Sequence, residues 1–209
     1  MRGNYVKTEH YENGQTRIVS YYENGQKEYE KWLENGKYNR KSGPSIIYYN
    51  EKGQVYREIW YRNSELHREG GPADIVYYEN GQKEIEEWFE NGKRHRENGP
   101  ARIGYYKNGQ KEHEGWYEGG KLHRESGPAD IVYYENGQIS KEIWYKNGLK
   151  HREDGPAFIV YYANGQIEDE EYYLNGEKAE SEDSINVKKQ IGKINKLLYQ
   201  KNQKINTRL

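Results

Sequence analysis

The fold of this chain is decided by residues 73–100, which read ADIVYYENGQKEIEEWFENGKRHRENGP. The pattern recurs along the chain, and the tryptophans lie 28 residues apart, at Trp32, Trp60, Trp88, Trp116 and Trp144. A fixed period of this length is typical of solenoids and arrays, in which each unit stacks on its neighbours to bury its apolar side. Residues that recur in every unit are therefore expected to serve the architecture before they serve catalysis.

Two Asn-Gly pairs divide the unit into strand-forming segments. Residues 73–78 are rich in β-branched and aromatic side chains, which favour strands. Asn80-Gly81 and Asn91-Gly92 follow at positions where a hairpin would turn. We expect type I′ turns there, because these turns need positive φ at both central residues and Asn-Gly supplies it.

A two-residue turn at Asn80-Gly81 also predicts the register of the hairpin. It pairs Ile75 with Glu86 and Tyr77 with Glu84. The spacing between successive turns is uneven, so residues 95–100 carry a surplus of about six residues that should loop out at one edge of the sheet.

The pattern predicts an all-β repeat array, an elongated and twisted single-layer antiparallel sheet of stacked hairpins. It covers residues 1–180, with a short first unit at 10–30 and 28-residue units after it. Residues 181–209 break the period. An apolar stripe with helical spacing predicts a C-terminal α-helix there, and it is formed by Val187, Ile191, Ile194 and Leu198.

The composition fits an array held together by amphipathic rings. Hydrophobic residues make up 33% of the chain, but it contains 23 Tyr and 5 Trp, whose rings bury area and keep a polar tip in water. There is no Cys, and no apolar run resembles a signal peptide or a membrane span. We expect a soluble intracellular protein, located in the cytoplasm, or in the host cytoplasm if the source is viral.

The C-terminal segment differs in charge from the rest. Residues 184–209 contain seven basic and no acidic residues, whereas the whole chain has a net charge of −1. The repeat body is therefore acidic. We expect the predicted basic amphipathic helix to cap the last hairpin or to mediate a homodimer; binding to an anionic membrane through this tail is the alternative.

The recurring motifs resemble those of a known family. Tyr-Tyr-Glu-Asn-Gly-Gln and Trp-Tyr/Phe-x-Asn-Gly-Lys resemble MORN repeats (membrane occupation and recognition nexus) over about residues 10–178. The longer unit with His-Arg-Glu-x-Gly-Pro-Ala is similar to that of bacterial MORN-type antitoxins and of Tyr-rich repeat proteins from giant viruses and phages. The resemblance implies an extended sheet of hairpins used in protein scaffolding, dimerisation or phosphoinositide binding.

Two repeated sets of side chains are candidates for recognition. The candidate partner-binding edge consists of the His-Arg pairs in the loops, at His67, Arg68, His95, Arg96, His123, Arg124, His151 and Arg152. The candidate aromatic face consists of recurring rings, at Tyr21, Tyr49, Trp60, Tyr77, Trp88, Tyr105, Trp116, Tyr133, Trp144 and Tyr161. We expect these rings to form a continuous ladder along one face of the sheet.

Catalytic interpretations of the same residues are weaker. The histidines recur about one hairpin apart, roughly 10 Å, whereas metal ligands must converge on one point. Glutamates such as Glu84, Glu86 and Glu87 could form catalytic pairs, but pairs of that kind lie in a concave site, so we interpret them as a solvated strand face. We therefore predict no catalytic residues, no metal and no cofactor.

The sequence favours a non-enzymatic protein–protein interaction or scaffold module, of which an inhibitor or antitoxin-like binder is one form. Association with anionic lipid through the basic tail is the alternative. A carbohydrate-binding aromatic surface comes third, because rings can stack on sugars. Nucleic acid is not expected on the sheet, because an acidic body repels phosphates.

Overall fold

The structure is a computed structural model that describes residues 5–181, 183, 184, 186, 187, 189 and 190. The described part contains 23 β-strands. They are β1 Tyr5–His10, β2 Gln15–Tyr21, β3 Lys27–Glu34, β4 Lys37–Tyr38, β5 Ile46–Tyr49, β6 Val55–Ile59, β7 Tyr61–Arg62, β8 Glu65–Leu66, β9 Asp74–Tyr77, β10 Lys83–Glu87, β11 Phe89–Glu90, β12 Lys93–Arg94, β13 Arg102–Tyr105, β14 Lys111–Gly115, β15 Tyr117–Glu118, β16 Lys121–Leu122, β17 Asp130–Tyr133, β18 Ile139–Ile143, β19 Tyr145–Lys146, β20 Leu149–Lys150, β21 Phe158–Tyr161, β22 Ile167–Leu174 and β23 Glu177–Ala179.

Fourteen strands form one long antiparallel sheet in the order β1-β2-β3-β5-β6-β9-β10-β13-β14-β17-β18-β21-β22-β23, and β4 pairs with β3 beside this path. The strands of this path pair in the order of the sequence, and the short strands that lie between some of them in sequence are off the path. Four small hairpins continue the units: β7–β8, β11–β12, β15–β16 and β19–β20. The prediction of an all-β array of hairpins is confirmed.

Of the predicted C-terminal helix, the structure describes residues 183, 184, 186, 187, 189 and 190, which are α-helical. Val187 is described and is 54% exposed, whereas Ile191, Ile194 and Leu198 lie outside the described residues. The helix beyond residue 190, which carries most of the apolar stripe, therefore stays a prediction. Within the described part, no helix has the length and apolar character needed to cross a membrane.

The first turn of the unit is not the predicted type I′ turn. Gly81 has a positive φ of 82°, but Asn80 is not among the residues with positive φ. Tyr78 donates its N–H to the carbonyl of Gln82, and Gly81 donates to Tyr78. These bonds describe a three-residue turn in which a type I turn is followed by a left-handed glycine. The Asn80 side chain stabilises it by accepting the N–H of Gln82.

The second turn does have type I′ geometry. Asn91 and Gly92 have φ values of 48° and 76°, and Asn147 and Gly148 have 53° and 84°. Such values are costly for most residues, and asparagine tolerates them better than others. Identical Asn-Gly pairs therefore form two different turns within one unit.

The longer first turn shifts the register at one end of the hairpin. Ile75 pairs with Glu86 as predicted, but Tyr77 pairs with Lys83, because a bulge between Lys83 and Ile85 leaves Glu84 outside the ladder. The same irregularity recurs between β13 and β14 and between β17 and β18. The predicted pairing of Tyr77 with Glu84 was wrong for this reason.

One row of paired side chains, here named the Ile–Glu row, runs along the sheet. An aliphatic residue alternates with a glutamate at each cross-strand step, and its members are Val19, Glu30, Ile47, Glu58, Ile75, Glu86, Ile103, Glu114, Ile131, Glu142, Ile159 and Glu170. Most of its aliphatic members are buried, and alanines at the unit boundaries, such as Ala73 and Ala101, are fully buried.

Candidate functional site

The repeated Tyr-Tyr dipeptide connects a unit to both of its neighbours in the middle of the array. The first tyrosine donates its hydroxyl hydrogen to the Ile–Glu row of the preceding unit, at O–O distances of 2.7 Å for Tyr77 to Glu58 and for Tyr105 to Glu86. The second tyrosine donates forward, and Tyr78 reaches the carbonyl oxygen of Tyr105 at 2.7 Å. One dipeptide therefore makes contacts in both directions along the array.

The same two contacts recur along the sheet. The backward bond is also made by Tyr49, Tyr133 and Tyr161, and the forward bond by Tyr22, Tyr106 and Tyr134. Burial, followed by the neighbouring carboxylate, raises the pKa of Tyr49 and of Tyr161 to about 12. These hydroxyls stay protonated near neutral pH and act as donors.

The glutamates of the Ile–Glu row are not a solvated face. Glu30, Glu86 and Glu114 are buried, as is Glu87 on the other face of the sheet. Glu86 accepts hydrogen bonds from Tyr105 and from Lys83. A buried carboxylate must be paired or hydrogen-bonded, and these contacts meet that need. The prediction that Glu86 and Glu87 are solvated was wrong.

The arginine of each loop packs back onto the tryptophan of its own unit. The Cζ atom of Arg96 lies 4.0 Å from the centroid of the Trp88 ring, and Arg96 donates to the carbonyl of Pro100. A Cβ added at Gly99 would lie 3.0 Å from this guanidinium, so glycine leaves the space that the arginine needs. The His-Arg-Glu-x-Gly-Pro motif is thereby explained as a packing motif.

The arginine contact is repeated in the other loops. Arg40, Arg68, Arg124 and Arg152 lie over Trp32, Trp60, Trp116 and Trp144 at 3.8–4.4 Å. All four also donate to the proline carbonyl of their loop. The arginines of the candidate edge therefore have internal partners, and the guanidinium occupies the ring face on which a sugar would stack.

The histidines of the candidate edge accept hydrogen bonds from the following unit. The N–H of Asn147 donates to Nδ1 of His123 at 3.1 Å, and the N–H of Asn175 donates to Nδ1 of His151 at 3.1 Å. Their side chains are only 9% and 12% exposed. A nitrogen that accepts carries no proton, so both rings hold their proton on Nε2.

His67 has the same environment, whereas His95 differs. His67 accepts from the N–H of Asn91 and its side chain is 10% exposed, but that of His95 is 32% exposed and faces Glu90. The loop glutamates, such as Glu97 and Glu125, are exposed to solvent. The candidate partner-binding edge therefore exposes carboxylates, whereas its His-Arg pairs are half-buried.

The rings of the candidate aromatic face are joined through polar groups. Among the described residues, ring–ring contacts occur only in the first part of the array, and Tyr21 is the one candidate that takes part, stacked on Tyr5 at 4.5 Å. The other candidate tyrosines bind glutamates, and the tryptophans bind arginines, as described above. The expected ladder is thus a ladder of Tyr–Glu and Trp–Arg contacts.

The opposite face of the sheet carries a second row, here named the variable row, which the sequence analysis missed. It runs through Ser20, Tyr29, Tyr48, Arg57, Val76, Ile85, Gly104, His113, Val132, Lys141, Val160 and Asp169, each paired with the next across the strands. Successive residues of a strand face opposite sides, so this row lies behind the Ile–Glu row. Some side chains of this row form ion pairs with residues on neighbouring strands. For example, Nη2 of Arg57 lies 2.6 Å from Oδ2 of Asp74.

Comparisons with known proteins add no family. A scan against protein-family models finds no match, and a search of curated proteins finds none either. Among the described residues, no group of three or more His, Asp or Glu side chains is placed to hold a metal ion.

Proposed function

We propose that this chain is a non-enzymatic protein-interaction module whose sheet presents a surface to a protein partner. One observation carries the proposal: the repeated polar residues are engaged in contacts that hold the array together. Tyr105 is bonded to Glu86, His123 to Asn147, and Arg124 to Trp116 and Pro128. A catalytic base or nucleophile needs a free reactive group within reach of substrate.

The open form of the sheet also supports a binding role. Its strands follow one another along a single path, so each added unit lengthens the sheet. Arrays of this kind bind partners along extended surfaces. An inhibitor or antitoxin-like role is one form of this function, and the resemblance to MORN-type antitoxins favours it.

Affinity capture followed by reconstitution tests the proposal. The full chain is used to capture proteins from cells that naturally make it, and each candidate is purified and titrated against the chain by calorimetry. We expect saturable binding of one protein at a fixed stoichiometry. Absence of any such protein, together with stoichiometric zinc binding or hydrolysis that is lost on His95→Ala, would contradict the proposal.

Association with anionic lipid is the second candidate, and the charge of the tail favours it. Residues 184–209 carry seven basic and no acidic residues. Clusters of this kind are attracted to anionic membranes. Co-sedimentation with phosphatidylserine vesicles tests it, with Lys193→Glu, Lys196→Glu and Lys201→Glu combined in the full chain. Loss of binding in this variant would support the lipid role, and equal binding would exclude the tail as its cause.

The same tail could cover the end of the array or join two copies. Tyr162 is the last tyrosine at the forward-donating position of the unit; it is 48% exposed and has no following unit to receive its bond. Ile191→Glu with Leu198→Glu tests this role by light scattering and thermal melting. A lower mass or a lower melting temperature is expected, and no change in either would show that the tail is a free arm.

A further inference from the structure

Grooves lie between successive loops of the array. The five loops at residues 39–44, 67–72, 95–100, 123–128 and 151–156 leave four gaps, and each gap forms a groove. The grooves are here numbered from the first to the fourth in chain order, with volumes of about 600, 830, 300 and 520 Å³. Each is lined by a tryptophan and by the loops on either side of it, so the four copies can be compared residue by residue.

The first groove differs from the others in charge. Its lining contains four cationic side chains and one carboxylate: Arg40, Lys41, Arg62, Arg68 and Glu69. The second and third grooves contain two arginines each, against four and three glutamates, and the fourth contains three cationic and three acidic side chains. The excess of positive charge is therefore local to the first groove.

Two positions of the unit account for the difference. Lys41 occupies the position that is glutamate in the later loops, at Glu69, Glu97, Glu125 and Glu153. Arg62 occupies the position that is glutamate in the next two units, at Glu90 and Glu118. Because the array repeats with glutamate at both positions, stacking does not account for the two cations.

The cations of the first groove keep unused hydrogen-bond donors. Lys41 is exposed and has no hydrogen bond or ion pair among the described residues. Arg40 and Arg68 each donate one hydrogen bond, to the proline carbonyl of their loop. A guanidinium group has five N–H donors, so both arginines retain donors that have no acceptor in the described part of the chain.

His67 adds a donor to the lining of the same groove. Its Nδ1 accepts the N–H of Asn91, so the neutral ring carries its hydrogen on Nε2. This Nε2 is buried and has no hydrogen-bond partner among the described residues, since Oε1 of Glu69 lies 3.9 Å away. In the corresponding loop of the third groove, Nε2 of His123 does reach Glu125, at 3.1 Å. A buried donor without an acceptor is unfavourable, and an oxygen atom that reaches it would stabilise it.

We infer that the first groove binds a compact oxyanion with two or more negative charges, a phosphate or a small polycarboxylate. The site is separate from the protein-binding function proposed above. Arginine and lysine are the side chains that recognise such oxyanions, and arginine does so through paired N–H bonds. The volume of about 600 Å³ lies within the range of small-molecule sites, roughly 300–1,000 Å³.

The acidic second groove limits the ligand to the first one. Successive loops are two strands apart, roughly 10 Å, and the second groove places four glutamates at that distance. A nucleic acid or an anionic membrane extends well beyond one loop spacing and would meet these carboxylates, which repel phosphates. The change of charge between neighbouring grooves therefore favours an anion small enough to fit within one of them.

Calorimetric titration of the full chain tests the inference, with inorganic phosphate and citrate as probes at constant ionic strength. We expect saturable binding of at least one probe, at one site per chain. Lys41→Glu combined with Arg62→Glu should weaken this binding about tenfold or more, and other units of the array carry glutamate at both positions. Lys146→Glu is the matched control, because it removes a cation from the fourth groove and should leave the affinity unchanged.

The possible results separate the site from its ligand. Binding of phosphate alone or of citrate alone would support the inference and identify the oxyanion. Equal binding by the wild type and the double variant would overturn the assignment to the first groove, and absence of saturable binding of both probes at millimolar concentration would overturn the site. Tighter binding of a glutamate-rich peptide, lost in the double variant, would overturn the compact ligand in favour of an acidic protein segment. Failure of the site would leave the proposed protein-binding function standing.

Discussion

At Glu114 two neighbouring units meet through one carboxylate. It accepts the hydroxyl of Tyr133 from the following unit at 2.7 Å and the ammonium of Lys111 at 2.5 Å, and it pairs across the strands with Ile103 and Ile131. Hydrogen bonds to a charged group stabilise more than neutral ones do. A sheet with few aliphatic residues thus gains cohesion from paired charges.

We expect Glu114→Gln to destabilise the protein by about 1.5–3 kcal/mol, because the charge-assisted bonds to Tyr133 and Lys111 are lost. Glu112→Gln on the same strand is the matched control, since Glu112 is exposed. Urea unfolding followed by circular dichroism gives both values. Equal effects of the two substitutions would show that the buried carboxylate has no special part in cohesion.

Arg96→Lys is expected to cost about 1–2 kcal/mol. Lysine keeps the charge but loses the planar contact with Trp88 and the bond to the Pro100 carbonyl. Arg62→Lys is the control, because Arg62 is exposed and binds only at the surface. Thermal melting and tryptophan fluorescence should both shift for the first variant alone. A neutral result would mean that the loop arginine is dispensable for packing.

Some features at the residue scale could not be predicted from the sequence. The Trp spacing predicted the positions of the rings. Arg96 contacts Trp88 only because the loop at residues 95–100 folds back over the ring, and the spacing does not predict the conformation of this loop. Glu86 was interpreted as solvated because glutamate is rarely buried. Its tyrosine partner lies 19 residues away, at Tyr105, so no local pattern reveals the pair.

Hairpins are the elements that link one unit to the next, and their turns show where sequence reasoning fails. Asn80-Gly81 and Asn91-Gly92 are identical pairs, yet only the second forms the expected type I′ turn. The turn type depends on how many residues the strands leave for the loop, and the bulge at Glu84 changes that number. The position and order of the hairpins depend on the period itself and were predicted correctly.

The contact of His151 with the next hairpin turn predicts a dependence of stability on pH. Burial lowers the pKa of His151 from 6.5, outweighing the opposing effect of Glu153. The unfolded chain therefore binds a proton at higher pH than the folded chain does. The contribution is fully present above pH 6.5 and is lost as pH falls from 6.5 through the lowered pKa.

Unfolding measured in urea between pH 7.5 and 5 tests this dependence. The wild-type protein should lose stability across the window, and His151→Asn should flatten the slope, because the titrating ring is removed. His10→Asn is the control, since His10 is exposed on β1 and binds Thr16 within the first hairpin. A slope unchanged by His151→Asn would assign the pH dependence to other groups.

At the scale of the whole molecule, neighbouring units are joined by a recurring set of contacts. The backward tyrosine bond and the Ile–Glu row recur along the sheet, and the forward tyrosine bond recurs except where Asn50 replaces the second tyrosine. The contact of the loop arginine with the tryptophan is repeated within the units. The 28-residue period predicted this repetition. It could not predict that glutamates of the Ile–Glu row are buried and hydrogen-bonded between units, because that depends on the register of the pairing.

Deletion of residues 73–100 tests this repetition most directly, because it joins Pro72 to Ala101 and brings two units together that are not neighbours in the natural chain. If the contacts are interchangeable, the shortened protein folds and unfolds cooperatively, with a urea m-value lower by roughly one-sixth in proportion to the surface lost. Deletion of residues 73–86, half a unit, is the control and should abolish cooperative folding. An unfolded product of the whole-unit deletion, or equal behaviour of the two deletions, would contradict the account.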